Sequence, residues 1–262
     1  PARRVNSQCL DRRKKKKKGF EEELRQFVIR LYERASDEEA RYFIDKTPKY
    51  HTIAPELLEL FADAKAVILW RNPLSIVASM VETWGNGWWN VFKFRFDLYQ
   101  GLPTLVELAK QDRDSVITVR YEDLVFERSD AWERICQHLD IDEGMLDRSP
   151  PTIDGHMGDP SQGEYGEIST QPIEKWKNTI CNPLRKFWMR RYLRWLGQER
   201  LRVMGYSIQK LKDELNSVPT TGEMLGADIF SMSRGLLHPM VEHHIFRDKI
   251  EKPRWADMVS HC

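Results

Sequence analysis

Apolar residues recur along this chain in two rhythms, and the changes from one to the other mark its elements. Phe20, Leu24, Phe27, Val28 and Leu31 follow each other at mostly three- and four-residue steps. That spacing predicts an α-helix with one apolar stripe. Glu21 to Glu23 fall in its first turn, where the helix dipole favours anions. Short, continuously apolar runs follow: Tyr42-Phe43-Ile44, Ala66-Val67-Ile68-Leu69-Trp70 and Val116-Ile117-Thr118-Val119. Helical patterns separate them, one running from Pro55 to Phe61 with proline in the first turn, where it is tolerated. Continuous runs alternating with helices predict parallel strands, buried on both faces, in an α/β fold.

The rest of the chain reads differently. From Gly144 to Gln171 it is rich in Gly, Pro, Ser and Asp, which predicts a long loop. Helical, basic and aromatic sequence resumes from Pro183 to Gly205. Residues 207–262 have weak periodicity and read as a C-terminal extension. Residues 1–19 hold Arg12, Arg13 and Lys14 to Lys18 in one block. Like charges repel, so this stretch is expected to be a solvated, disordered arm. Residues 20–206 remain as the α/β domain.

Composition narrows the classes of function. The chain has 262 residues and a formal net charge of +1. A dedicated nucleic-acid binder would carry a broad basic field, so any anion site here is expected to be local. Four cysteines stand apart, with no CxxC pair, which argues against a zinc ribbon or a disulfide framework and for a reducing compartment. The histidines have no partners at metal-ligand spacing, so no metal is expected. The apolar runs are too short to span a membrane, and the basic N-terminus lacks the apolar core of a signal peptide. The expected location is cytoplasmic.

The candidate chemistry lies at the carboxyl ends of the predicted strands, the edge where open α/β sheets bind ligands. After Trp70 come Arg71, Asn72 and Pro73, the last suited to the first turn of a new helix, and Ser79 follows eight residues after Arg71. A helix N-terminus offers N–H groups and a positive dipole end to phosphate, and arginine adds a permanently charged fork. This segment resembles the 3′-phosphate-binding segment of sulfotransferases. Upstream, Ile44-Asp45-Lys46-Thr47-Pro48-Lys49-Tyr50 resembles the family's Lys-Thr segment. Downstream, Val119-Arg120-Tyr121-Glu122-Asp123-Leu124 resembles the strand whose tyrosine reaches the adenine, and Lys175-Trp176-Lys177-Asn178 the element near the nucleotide. The stretch from Trp195-Leu196-Gly197 to Met204-Gly205-Tyr206 is similar to the ending of bacterial members. The first four of these segments stand in the family's order, and the chain most resembles bacterial members with the Lys-Thr-Pro variant.

The resemblance implies a P-loop-like fold, with a central parallel sheet flanked by helices. It implies an enzyme moving a sulfuryl group from 3′-phosphoadenosine 5′-phosphosulfate (PAPS) to an acceptor hydroxyl or amine, releasing 3′,5′-diphosphoadenosine (PAP). Lys46, Arg71, Ser79, Tyr121, Trp176 and Lys177 would bind the cofactor, and Lys46 would stabilise charge on the leaving phosphate. Many members place a base histidine directly after Lys-Thr; here that position is Pro48, and His51 is the nearest candidate. The family's first strand and its Pro-x-Ser-Gly-Thr-Thr loop for the 5′-phosphosulfate are not found before Lys46. A truncated or inactive form is therefore one expectation. A PAP-binding pseudoenzyme or interaction domain is the alternative, and nucleic-acid binding through Lys14 to Lys18 a weaker one. A nucleoside kinase would need a Gly-x-x-x-x-Gly-Lys loop, which is absent. The acceptor, a small molecule, carbohydrate or peptide, is left open.

Overall fold

The computed structural model describes residues 7–37, 39–126, 130–142, 144 and 170–235. Most of the predicted 144–171 loop lies outside the described residues, as do His156, His243 and His244. The architecture is α/β, with many helices around one small parallel sheet.

Helix α1 runs from Ser7 to Ala35, so the lysine run continues into the predicted apolar helix instead of forming a separate arm. Lysine and arginine are good helix formers. Lys17 pairs with Glu21 one turn later, at 3.2 Å. The predicted stripe faces solvent at Phe20, Phe27 and Leu31.

The run at 42–44 joins no ladder among the described residues, which corrects the prediction of a strand. Side chains hold it instead. Arg41 pairs with Asp140 at 2.5 Å, the Tyr42 hydroxyl donates to the Leu139 carbonyl, and Phe43 stacks on Tyr32 at 4.2 Å. A 3₁₀ turn over Pro48–Thr52 and helix α2, Ala54–Leu60, lead to strand β1, Ala66–Trp70.

Strand β1 pairs in parallel with β2, Val116–Arg120, in a register from Ala66 opposite Val116 to Trp70 opposite Arg120. Ile68 and Trp70 point into the core, while Val67 and Leu69 are exposed. The expectation of burial on both faces is thus corrected: β1 alternates, because helices cover one of its faces.

Between the strands lie α3, Pro73–Ser79, a π-helical turn over Met80–Trp84, and α4, Leu102–Ala109. Helices α5, Tyr121–Phe126, and α6, Ala131–Leu139, follow β2. Two short turns come next, α7, Gln171–Glu174, and α8, Trp176–Thr179. Helix α9, Pro183–Val203, supplies the centre of the core with Met189, Tyr192, Leu193, Leu196 and Leu201. Gly197 interrupts it at φ 71° and ψ 168°, a conformation that essentially only glycine adopts. Arg200 Nη1 donates to the carbonyls of Trp195 and Leu196 at that break, at 2.9 and 3.3 Å.

Residues 207–235, taken from sequence as part of an extension, pack into the same core. Helix α10, Ile208–Ser217, buries Leu211 and Leu215. Helix α11, 225–235, buries Asp228. Asp228 accepts from Arg185 Nε at 2.6 Å, Arg185 Nη2 at 2.9 Å and Asn182 Nδ2 at 2.5 Å. Two further guanidinium hydrogens donate to the carbonyls of Thr179 and Gly87. A charge removed from water needs such extensive pairing.

Candidate functional site

The carboxyl ends of β1 and β2 lie side by side, and this brings two of the predicted residues together. The Arg71 guanidinium lies over the Tyr121 ring, 4.9 Å from its centre. Arg71 follows the last residue of β1 and Tyr121 the last of β2, so the parallel register makes the contact. Both are half-buried. Glu122 locks the same edge. Its Oε1 accepts the Asn72 N–H at 2.9 Å and its Oε2 the Tyr206 hydroxyl at 2.6 Å. Burial, with the Glu122 carboxylate beside it, pushes the Tyr206 hydroxyl far above its ordinary pKa. The sequence reading quoted Glu122 and gave it no role; the acidic residue after the tyrosine was the available signal.

The start of α3 is less open to an anion than its sequence predicts. The Asn72 side chain caps the helix by accepting from the Leu74 N–H at 2.9 Å. Pro73 has no N–H, and that of Asn72 is bonded to Glu122. An anion here would rely chiefly on side chains. Ser79 is half-buried and ends α3. It lies one turn beyond Ser75, whose hydroxyl donates to the Ile173 carbonyl in α7 at 3.2 Å. Residues four apart share a helix face, so Ser79 is on the side that packs against α7 and α8.

Helix α8 carries Trp176 and Lys177. Trp176 is 3% exposed and belongs to the core, which leaves little of its ring for a ligand. Lys177 is partly exposed and pairs with Glu174 at 2.6 Å. Beside it, a cavity of about 480 Å³ is lined by Lys177, Asn178, Cys181, Val218, Thr221 and Glu223. Thr179 is tied to the turn after α3, its hydroxyl donating to Glu82 at 2.7 Å.

Lys46 is exposed on the extended segment before the 3₁₀ turn. Its neighbour Asp45 gathers three hydroxyls: Tyr32 and Tyr50 at 2.6 Å on Oδ2, and Thr47 at 2.9 Å on Oδ1. Partial burial works to raise the Asp45 pKa, but these hydrogen bonds outweigh it and hold it below the usual carboxylate value. The sequence pattern includes Asp45 in the Lys-Thr segment but gives it no role and does not single out Tyr32, because a contact between α1 and the segment is not local.

His51 lies elsewhere. Its side chain is 13% exposed and its Nε2 is 3.1 Å from Asp97 Oδ1. The ring rests on the backbone of Gly101, where an added Cβ would come within 1.5 Å of Cδ2. Lys49 reaches the same Asp97 oxygen at 2.5 Å. The histidine thus closes the 3₁₀ turn over the 97–101 turn. Among the described residues, no cluster of three or more His, Cys, Asp or Glu is placed to hold a metal. No helix among them is long and apolar enough to cross a membrane.

The sequence profile of the sulfotransferase family matches residues 4–144. The chain belongs to the sulfotransferase family. The match includes Lys46, Arg71, Ser79 and Tyr121 of this sulfotransferase-family chain, and ends before Trp176 and Lys177. The nodulation protein NoeE of Sinorhizobium fredii (strain NBRC 101917 / NGR234) is 30% identical over a stretch covering 39% of this chain and 29% of NoeE. The matched stretch therefore spans less than a third of that relative. No solved structure matches.

Proposed function

We propose that this chain works in sulfuryl transfer from PAPS to an acceptor hydroxyl or amine. The observation that carries the reading is the stack of Arg71 on Tyr121 at the carboxyl edge of the parallel pair. It places an anion-binding fork beside an aromatic ring, the two kinds of group that a phosphorylated adenosine would meet.

The residues present fit such a donor. Arg71 and Ser79 would hold the 3′-phosphate by charge and hydroxyl. Tyr121 would lie against the adenine. Lys177, with Asn178, would reach the nucleotide from α8, and Trp176 would set the position of that turn from within the core. Lys46 would face the bridging oxygen. When bound, PAPS would supply the sulfuryl group, its 5′-phosphate oxygen keeping the electron pair of the bond to sulfur while the acceptor gives up its proton to solvent. A lysine ammonium there stabilises the departing charge, which is the main catalytic contribution such a transfer asks of a protein. His51 is better suited to packing than to the role of base. A base must come within hydrogen-bond reach of the acceptor proton, and this ring is held between Gly101 and Asp97.

Calorimetric titration with PAP tests the reading. The chain and its Arg71→Ala variant are compared at one salt concentration. The expected result is a loss of roughly ten- to a hundredfold in affinity, as for a hydrogen bond to a charged group. Equal affinity in the two proteins, or no PAP binding either by this chain or by a longer natural form, overturns the proposal.

A further inference from the structure

The fold uses one face of α1 and leaves the other to solvent. On the inner face Arg25 pairs with Asp63 at 2.9 Å, and Tyr32 donates to Asp45 at 2.6 Å. On the outer face Phe20 is 68% exposed, Leu24 37%, Phe27 53% and Leu31 47%. Four large apolar side chains in one exposed row mark a surface that meets a partner.

The row is spaced for another helix. Its steps of four, three and four residues make the seam of a coiled coil. The same steps read identically from either end. Such a seam can face a reversed copy of itself, about a two-fold axis between Arg25 and Gln26. Leu24 then lies beside the partner's Phe27, and Phe20 beside the partner's Leu31. Every layer combines one leucine with one phenylalanine.

Charge selects the same arrangement. Glu23 and Arg30 border the row on one flank, and both are exposed. Glu21 pairs with Lys17 and Glu22 accepts from Gln26, but among the described residues Glu23 and Arg30 have no partner. They stand seven residues apart, about 10 Å along the axis and beyond each other's reach. Against a reversed copy, Glu23 comes beside the partner's Arg30, and the symmetry makes the contact twice. A parallel pair would set Glu23 beside the partner's Val28 and leave both charges unmatched.

We propose that this face pairs with the same face of a second copy of the chain, the two α1 helices running antiparallel. A lipid surface suits the row less well. Helices that lie on membranes border their apolar face with Lys and Arg, and here Glu21 and Glu23 border it. Through Tyr32 and Asp45 the pairing would also brace the segment that carries Lys46. None of these residues belongs to the donor site, so the pairing stands apart from the sulfuryl-transfer reading.

Sedimentation equilibrium of the chain over a dilution series is the test, and a reversible dimer is expected. Phe27→Asp with Leu31→Asp changes exposed side chains and should weaken association at least about tenfold, with the circular dichroism unchanged. Glu23→Arg sets like charges side by side and should weaken it roughly tenfold, as should Arg30→Glu. Both reversals together should return it to within about threefold of the parent, because the pair is restored with its signs exchanged. A chain that stays monomeric, or a dimer that the double reversal does not restore, overturns the proposal. Binding of a monomeric chain to phosphatidylserine–phosphatidylcholine vesicles, lost in the Phe27→Asp, Leu31→Asp variant, would overturn it in favour of a lipid surface. A longer natural form that stays monomeric would overturn it in favour of other sequence covering the row.

Discussion

Two carboxylates in this protein each gather three hydrogen bonds, and they do different work. Asp228 is fully buried and meets Arg185 and Asn182. Asp45 is exposed and meets the hydroxyls of Tyr32, Tyr50 and Thr47. The first joins α11 to α9 inside the core; the second holds the segment carrying Lys46 against α1. Similar geometry carries different weight because the energetic cost of losing a partner follows desolvation. In the interior, a charge left alone has no water to turn to. At the surface, water replaces the lost partner.

Asp228→Ala should have the largest effect. It leaves the Arg185 guanidinium buried without its counter-ion, and the expected loss is about 3–5 kcal/mol in a denaturant titration. A loss below about 1 kcal/mol would mean that water reaches the pair, and the contrast with Asp45 would fail.

Glu122→Ala tests the intermediate case at the strand edge. It strips partners from the Asn72 N–H and the Tyr206 hydroxyl, both partly buried. The expected cost is about 1–3 kcal/mol, with PAP affinity falling as the Arg71 edge loosens. Affinity that holds while stability falls would confine Glu122 to the fold.

Asp45→Asn should cost global stability little, about 1 kcal/mol or less. Its effect should be local, as faster hydrogen exchange at the amides of residues 43–50 with the core unchanged. Slower exchange there, or equal loss of protection throughout the core, would contradict a tether confined to one segment.

The smallest effect is one of pH. Hydrogen bonding lowers the folded-state pKa of Asp45 below its unfolded value. Below that unfolded value the unfolded state binds more protons, so the contribution of Asp45 is present at neutral pH and is lost as pH falls through the folded pKa. Exchange at residues 43–50 should therefore quicken in acid before the core responds, and Asp45→Asn should remove that step. An acid response identical in parent and variant would assign the step to another group.

Much of the frame was legible in the linear pattern. Strands β1 and β2, the helix opening at Pro73 and the helix opening at Pro183 appear where apolar runs and proline predicted them. The order of the motifs carried the family. These features are local: a dihedral preference, a repeat, or a charge at a strand end. The run at 42–44 looked like the other strands, yet among the described residues it joins no ladder, because strand pairing depends on a neighbour that no local pattern names. Trp176 stood in a motif and proved to be a core residue. His51 stood near Lys46 in sequence and lies on Gly101 in space.

The sequence by itself determined β1, β2, the helices opening at Pro73 and Pro183, and the family. Tertiary structure alone decided which side chains meet. It set Arg71 on Tyr121, Asp45 under Tyr32, and Asp228 of the supposed extension against Arg185. The physical reason is that backbone preferences act over a few residues, whereas burial and hydrogen-bond pairing join residues 13, 43 or 50 positions apart. Their energies depend on the water excluded when the whole chain packs.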